Sequence, residues 1–278
     1  VAILFPFVAT DEAERGMVRA TIGPVWTGNE VWLIAGSALF FLAFPKAYAA
    51  GFSGLYLGLI LMLWLLVGRG LALELREHIE HPLWRRFWDT IFFVTGLSLA
   101  FLLGLFSGNV IRGVPVNAEG YFFLPLWTDF RPGLSPGILD WFTVLSGVVA
   151  FVALAVHGAN YVALKTEGEI NARARKVVSV GWYALVLSTI ASLAAVINVR
   201  PQLLENYYSL PIGWLIPILV LAALAALKYF NGKGNEKMAF IASSVYLAMM
   251  LGGAVYGLYP NVLPALDPAH SQIGRAHV

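Results

Sequence analysis

The chain has 278 residues, 59% of them hydrophobic and 12% charged, with a mean hydropathy of +0.75 and a formal net charge of +2. A soluble domain carries about twice that share of charge, so an ordinary water-soluble enzyme is excluded, as is a disordered chain, which needs low hydrophobicity and high charge. There is no Cys, which removes disulfides, Cys-held zinc, iron–sulfur clusters and a thiol nucleophile.

A helix that crosses a bilayer needs about 20 apolar residues. Residues 1–9 (VAILFPFVA) read as the tail of an earlier span, followed by a short loop with Arg15 and Arg19. The next apolar stretch, 31–45, is long enough to cross only if it starts near residue 20, and then Glu30 falls inside it. Charge-free stretches follow at 47–68, 90–111, 141–164, 177–199, 206–227 and 238–266. The expected fold is therefore an all-α, polytopic transmembrane helix bundle of seven full spans plus the tail of an earlier one. Segments this long, rich in Leu, Ala, Gly and Phe, do not fit a membrane β-barrel, whose strands are short and alternating. The stretch 109–139, with Pro115, Pro125, Pro132 and Pro136, is expected to be an irregular loop. Residues 1–266 form one expected domain, and 267–272 the start of a truncated outer loop. Residues 273–278 (IGRAHV) match the translation of a common sequencing adapter, and the chain opens on Val1 inside an apolar run. The sequence is thus expected to be a gene fragment cut at both ends.

Basic residues set orientation. Arg15, Arg19, the loop after residue 68 (Arg69, Arg76, Arg85, Arg86), the loop after 164 (Lys165, Arg173, Arg175, Lys176) and the loop after 227 (Lys228, Lys233, Lys237) place thirteen on one side. Lys46, Arg112, Arg131 and Arg200 place four on the other. The first side is expected to be cytoplasmic. Trp127, Trp141, Tyr207, Tyr208 and Trp214 then fall at the outer boundary, and Trp84 and Trp88 at the inner one, as an aromatic belt requires.

An acid inside a span costs about 2.5–3.5 kcal/mol on insertion scales and is a functional candidate by default. Glu30 comes first. Thr27 lies three residues earlier on the same helix face and Asn29 is adjacent. The competing reading is a Glu at a helix start that reaches water. Arg69 and Glu74 close the next span, and Arg69 reaches either a neighbouring helix or the headgroups; Glu74 and Arg76 share the same anchoring alternative. His157 is the single His inside a span and opens a polar stripe with Asn160 and Tyr161 that runs to Lys165. Its readings are a hydrogen-bonded packing group, a proton relay, or a haem ligand that would lack a second His. Gly51, Gly54 and Gly58 offer a small-residue face for close helix packing, and Asn109 and Asn198 sit where helix caps are expected. No P-loop, dinucleotide fingerprint or zinc motif is present.

The run GPVWTGNEVWLIAGSALFFLAFPKAYAAGFSGLYLGLIL, then RGLALELR and RRFWD, resembles subunit II of cytochrome bd-type quinol oxidases, including the cyanide-insensitive forms. GNVIRGVPV, HGANYVALKTEGEINARAR and YPNVLP are similar to that family in the same order. The resemblance implies nine helices in a complete member, of which this chain would hold the end of the first and the second to eighth. It implies a bacterial inner-membrane protein that is a non-catalytic subunit of a proton-translocating quinol:O2 oxidoreductase. Haems b and d would belong to a partner, subunit I, with which this chain forms a heterodimer, together with a small single-span accessory subunit. Membrane lipid and, through the complex, quinol are the other implied partners; no nucleic acid and no metal held by this chain are implied. Subunit II would support subunit I and contribute to proton uptake from the cytoplasm. The family often has Asp at the position of Thr27, which cannot ionise; Glu30, one turn on, can substitute, and Glu74 occupies the family's acidic position in RG-x-x-x-E-x-R. Glu30, Thr27, Asn29, Glu74 and His157 are thus the proton-path candidates, and Arg69, Arg76, Asn160 and Lys165 the polar anchors. Two other classes remain: a secondary transporter coupled through Glu30 and His157, disfavoured because no repeat is visible, and a purely structural scaffold.

Overall fold

The structure, a computed structural model, describes residues 1–267. The proposed adapter residues 273–278, and the outer loop beyond residue 267, lie outside the described residues. After a 3-10 turn at Ala2–Leu4 the helices are α1 (Phe5–Val8), α2 (Glu12–Ile22), α3 (Trp26–Ala43), α4 (Pro45–Gly54), α5 (Tyr56–Leu75), α6 (Pro82–Arg112), α7 (Trp141–Lys165), α8 (Gly168–Val199), α9 (Glu205–Ser209), α10 (Leu215–Lys233) and α11 (Glu236–Leu258). The described residues form no strand, only isolated bridges at Val114–Ala265 and Trp127–Leu139. Among the described residues seven stretches are long and apolar enough to cross a membrane, which is the expected number. The fold is an all-α bundle.

The tail at residues 1–9 is not peripheral. Ala2, Leu4, Phe5 and Val8 enter the main core with residues of α6, α7, α8, α10 and α11, and Phe5 meets Phe92 edge-on at 5.7 Å. Between α6 and α7 small residues let the backbones touch: a Cβ at Gly108 would lie 2.7 Å from the Ser146 hydroxyl and 3.0 Å from Thr143 Cα. Such close approach favours packing where apolar side chains gain nothing by leaving lipid.

Several span boundaries differ from expectation. The stretch read as 47–68 is two helices. α4 ends at Gly54, where the Phe122 ring of the loop after α6 occupies the space of a Cβ and Leu124 N–H donates to the Gly54 carbonyl at 3.2 Å. The crossing element is Tyr56–His78 instead, so Arg69 lies well inside a helix rather than closing it. The glycine face is divided as well: Gly54 meets the loop, Gly58 meets Phe106 of α6, and Gly51 is open. The first span is α2 and α3, separated at Gly23–Pro24–Val25, where Pro24 supplies no N–H. The stretch 206–227 becomes α9, a 3-10 turn at Pro211–Trp214, and α10. α11 stops at Leu258, short of 266, and the chain then folds over the loop that follows α6, with Leu266 N–H donating to Val114 O at 2.9 Å and Val114 N–H to Pro264 O at 3.0 Å.

The charges collect at the two ends of the bundle. At one end Arg76, buried, holds Asp89 through two bonds (Nε–Oδ1 2.5 Å, Nη2–Oδ2 3.0 Å) and also reaches Glu12 and Glu77. Arg15 joins Asp89 at 3.3 Å and Arg19 pairs with Glu77. Arg173 at the start of α8 pairs with Glu14 of α2, and Arg175 bonds the Asn231 carbonyl of α10. The loops after 68, 164 and 227 therefore share one end. At the other end Arg112 pairs with Asp140, bonds Gly137 O at 3.0 Å, and donates to Asn109 Oδ1 at 2.8 Å. Asn109 is fully buried in this clamp and is no simple cap. Asp140 also caps α7, accepting from Phe142 N and Thr143 N. Arg200 reaches the Arg112 and Ala265 carbonyls. Burial lowers the Arg200 pKa from its ordinary value, but an arginine starts so far above neutrality that it stays charged.

Asp140→Ala removes the counter-charge of a guanidinium that is 1% exposed. It should cost about 3–5 kcal/mol for the stranded charge and about 1 kcal/mol more for the lost cap. Asp140→Asn, which keeps an acceptor for the cap, should cost less than Asp140→Ala. Thermal unfolding of the two variants in detergent checks the order.

Candidate functional site

Glu30 lies in the second turn of α3, and Arg69 on α5 comes across to meet it, Nη2 to Oε1 at 2.5 Å. The pair is partly exposed, at 27% for Arg69 and 26% for Glu30, on faces that otherwise carry apolar side chains. Val31, Trp32, Ile34 and Leu42 of α3 are exposed, as are Leu63, Trp64 and Val67 of α5. Of the two alternatives for Arg69, the neighbouring helix is the one realised. The Arg69 Nε is buried without a partner, and the single bond to Oε1 leaves Glu30 Oε2 unengaged among the described residues.

Thr27 and Asn29 are both exposed on α3. Thr27, three residues before Glu30, shares its face, and Asn29 N–H donates to the Val25 carbonyl at 3.0 Å in the first turn. Glu74 is exposed near the end of α5; its backbone carbonyl lies 3.0 Å from His78 Nδ1, and its carboxylate joins no ion pair among the described residues. It is not brought to Glu30.

The polar stripe of α7 divides among three neighbours. His157 faces α11, with Nδ1 2.9 Å from Ser243 Oγ and its ring stacked on Phe240 at 4.8 Å between centroids. The Ser243 hydroxyl also bonds the Phe240 carbonyl at 2.8 Å. Asn160, buried, is bonded to the Val156 carbonyl of its own helix. Tyr161 reaches α2, donating to Thr21 O at 2.9 Å, and Lys165 lies 6.0 Å over the Tyr161 ring. No hydrogen bond joins His157 to Glu30 among the described residues. His157 has Nδ1 engaged and one ring face covered, and His78 and His81 lie at a helix end. Among the described residues no three His, Cys, Asp or Glu side chains gather as a metal-ligand set.

A cavity of about 430 Å³ lies between α2, α3, α7 and the start of α8, lined by Met17, Thr21, Val25, Tyr161, Lys165 and Ile170 among others. It opens at the end of the basic loops and reaches Val25, five residues before Glu30, about 7 Å along a helix axis.

The charged residues that sequence reading passed over include Glu12, Glu14, Glu77, Asp89 and Asp140, together with Ser243. Asp140 carries a legible signal, an Asp three residues before Thr143 at the start of an apolar run, which is a capping box. Asp89 stands in the RRFWD run beside an apolar stretch and looks like any acid near a helix start.

Seven helices long and apolar enough to cross a membrane among the described residues, with an acid–guanidinium pair between two of them, define a polytopic helical membrane protein. The family model for cytochrome bd terminal oxidase subunit II matches residues 1–273, and the chain belongs to that family. Similar proteins include the cytochrome bd-I ubiquinol oxidase subunit 2 of Escherichia coli K12, 32% identical over 95% of this chain and 76% of that protein. A probable cytochrome oxidase subunit 2 of Haemophilus influenzae is 31% identical over 95% of this chain and 75% of its own length. The cytochrome bd ubiquinol oxidase subunit 2 of Bacillus subtilis is 29% identical over 92% and 72%.

Exposed ion pairs in water are worth about 0.2–1 kcal/mol. Glu30 and Arg69 sit among apolar side chains that face lipid or protein rather than water. A double-mutant cycle with Glu30→Gln and Arg69→Gln, read as thermal stability in lipid nanodiscs, should therefore give a coupling above that range.

Proposed function

We propose that this chain is the haem-free second subunit of a bd-type terminal quinol oxidase in a bacterial cytoplasmic membrane, working beside a haem-bearing subunit I in aerobic respiratory electron transport. Family membership across the chain carries this reading. Quinol is oxidised and O2 reduced to water at the haems of the partner; this chain supports the partner and supplies protons from inside. The loops after residues 68, 164 and 227 face the cytoplasm, by their excess of Lys and Arg. A secondary transporter is set aside by the family.

Glu30 is the proton-carrying group in this reading. Thr27 cannot take that role, and Glu30 lies one turn on along the same face. Its free Oε2 takes the proton, while Arg69 compensates the charge of the carboxylate when the proton has left. The cavity that reaches Val25 brings water from the basic end to within about two helical turns of the acid. The ion pair itself favours a second reading, in which Glu30 and Arg69 only join α3 to α5 and the proton route lies in the partner.

Glu30→Gln in the assembled complex separates the two. As a relay, its loss should lower quinol oxidation per haem by about tenfold or more, and Thr27→Asp added to Glu30→Gln should restore part of it. Full turnover per haem with normal haem content leaves only the joining role.

Sidedness is tested by single cysteines, with no native Cys to interfere. In intact cells an impermeant thiol reagent should label Glu119→Cys on the outer loop and spare Ala172→Cys at the start of α8, both at exposed positions. The reverse pattern refutes the orientation.

A further inference from the structure

We propose that the furrow between α8 and α10, at the end of the bundle that carries the basic loops, binds an anionic phospholipid, with Lys228 holding its phosphate. Lys228 lies in the second-to-last turn of α10. Its ammonium sits 4.4 Å from the centroid of Tyr183 and 5.0 Å from that of Trp182, both on α8, and donates to the Tyr183 hydroxyl at 3.3 Å. The Trp182 ring is itself fixed, because Nε1 donates to the Leu224 carbonyl at 2.8 Å, one turn before Lys228 on α10. A free lysine would give up rotamer freedom on binding; this one is already held in place by two rings.

No carboxylate pairs with Lys228 among the described residues, and Glu236, at the start of α11, is directed to Arg175. An ammonium has three donors, and the Tyr183 hydroxyl uses one. Two further lysines stand at the same end of these helices with no carboxylate partner among the described residues: Lys233 at the end of α10, 4.5 Å over the Tyr229 ring, and Lys176, exposed on α8 two turns before Tyr183. The C-terminal end of a helix favours cations, so the arrangement is stable without an acid.

The ligand must be an amphiphile because the surface deeper in the span is apolar. Leu187 and Ile190 follow Tyr183 along α8, and Leu221 lies two turns before Lys228 on α10; all three are more than 60% exposed. A phosphate at Lys228 places acyl chains along these side chains. A net negative headgroup is preferred because a zwitterionic one brings its own cation to the Lys228 ammonium.

Native mass spectrometry of the protein released from nanodiscs, with whatever partner chain accompanies it, tests this against phosphatidylglycerol and phosphatidylcholine. The wild type should retain phosphatidylglycerol preferentially. Lys228→Gln should reduce that preference about fivefold, the worth of one basic group at an anionic surface, and Lys228→Arg should keep it. Tyr183→Ala, at an exposed ring, should also weaken it and serves if Lys228→Gln does not fold. Inorganic phosphate at millimolar concentration should not displace the lipid; displacement makes the ligand a free anion and overturns the lipid assignment. An unchanged preference in both Lys228→Gln and Tyr183→Ala overturns the site.

Discussion

Arginine is charged at any pH the protein meets, so a guanidinium taken out of water must carry its counter-charges with it. Arg76 and Arg112 are each 1% exposed, and the two ends of the bundle are arranged around them. At Arg76 the bidentate bond to Asp89 joins the end of α5 to the start of α6, while Glu12 adds α2 to the same group. At Arg112 the bond to Asp140 closes the long loop after α6 onto the first turn of α7. Removing either acid would leave a buried charge with too few partners, which costs far more than the intact pair contributes.

α6 belongs to both clamps, with Asp89 near its start and Arg112 at its end. The helical rise sets them about 35 Å apart, slightly more than the roughly 30 Å of a hydrocarbon layer. That spacing suits a charge cluster at each headgroup level, where neighbouring polar groups and water lower the cost of gathering charge. Between them the helix meets its neighbours through Gly104, Gly108 and alanines, so the interior is close-packed and almost free of charge. Glu30 and Arg69 are the exception, and they stand on the face of α3 and α5 that the rest of this chain leaves uncovered.

The number of spans was legible because the length of an apolar stretch is dictated by the bilayer. Their boundaries were not, because the break at Leu55 depends on Phe122, almost seventy residues further on, taking the space beside Gly54. Glu30 could be singled out from composition alone, since an acid in apolar surroundings is expensive wherever it sits. Its partner could not: Arg69 is 39 residues away, and nothing local distinguishes a guanidinium that crosses to another helix from one that turns to the headgroups. The same holds for His157 and Ser243, 86 residues apart. The Arg76–Asp89 clamp needed the turn between α5 and α6 to be known before two charges 13 residues apart could be read as a pair.

α3 buries no residue in this chain. Apolar side chains project on nearly every side of it, and its packing contacts include Phe40 against Phe44 and Tyr48, and Trp26 beside Gly70. The bond from Glu30 to Arg69 is the polar contact that adds to these in setting its azimuth. Each step along an α-helix turns the side chain by about 100°, so the position of this one acid decides which stripe of α3 faces α5 and which faces outward. A single polar contact thus acts as a rotational index for eighteen residues of helix.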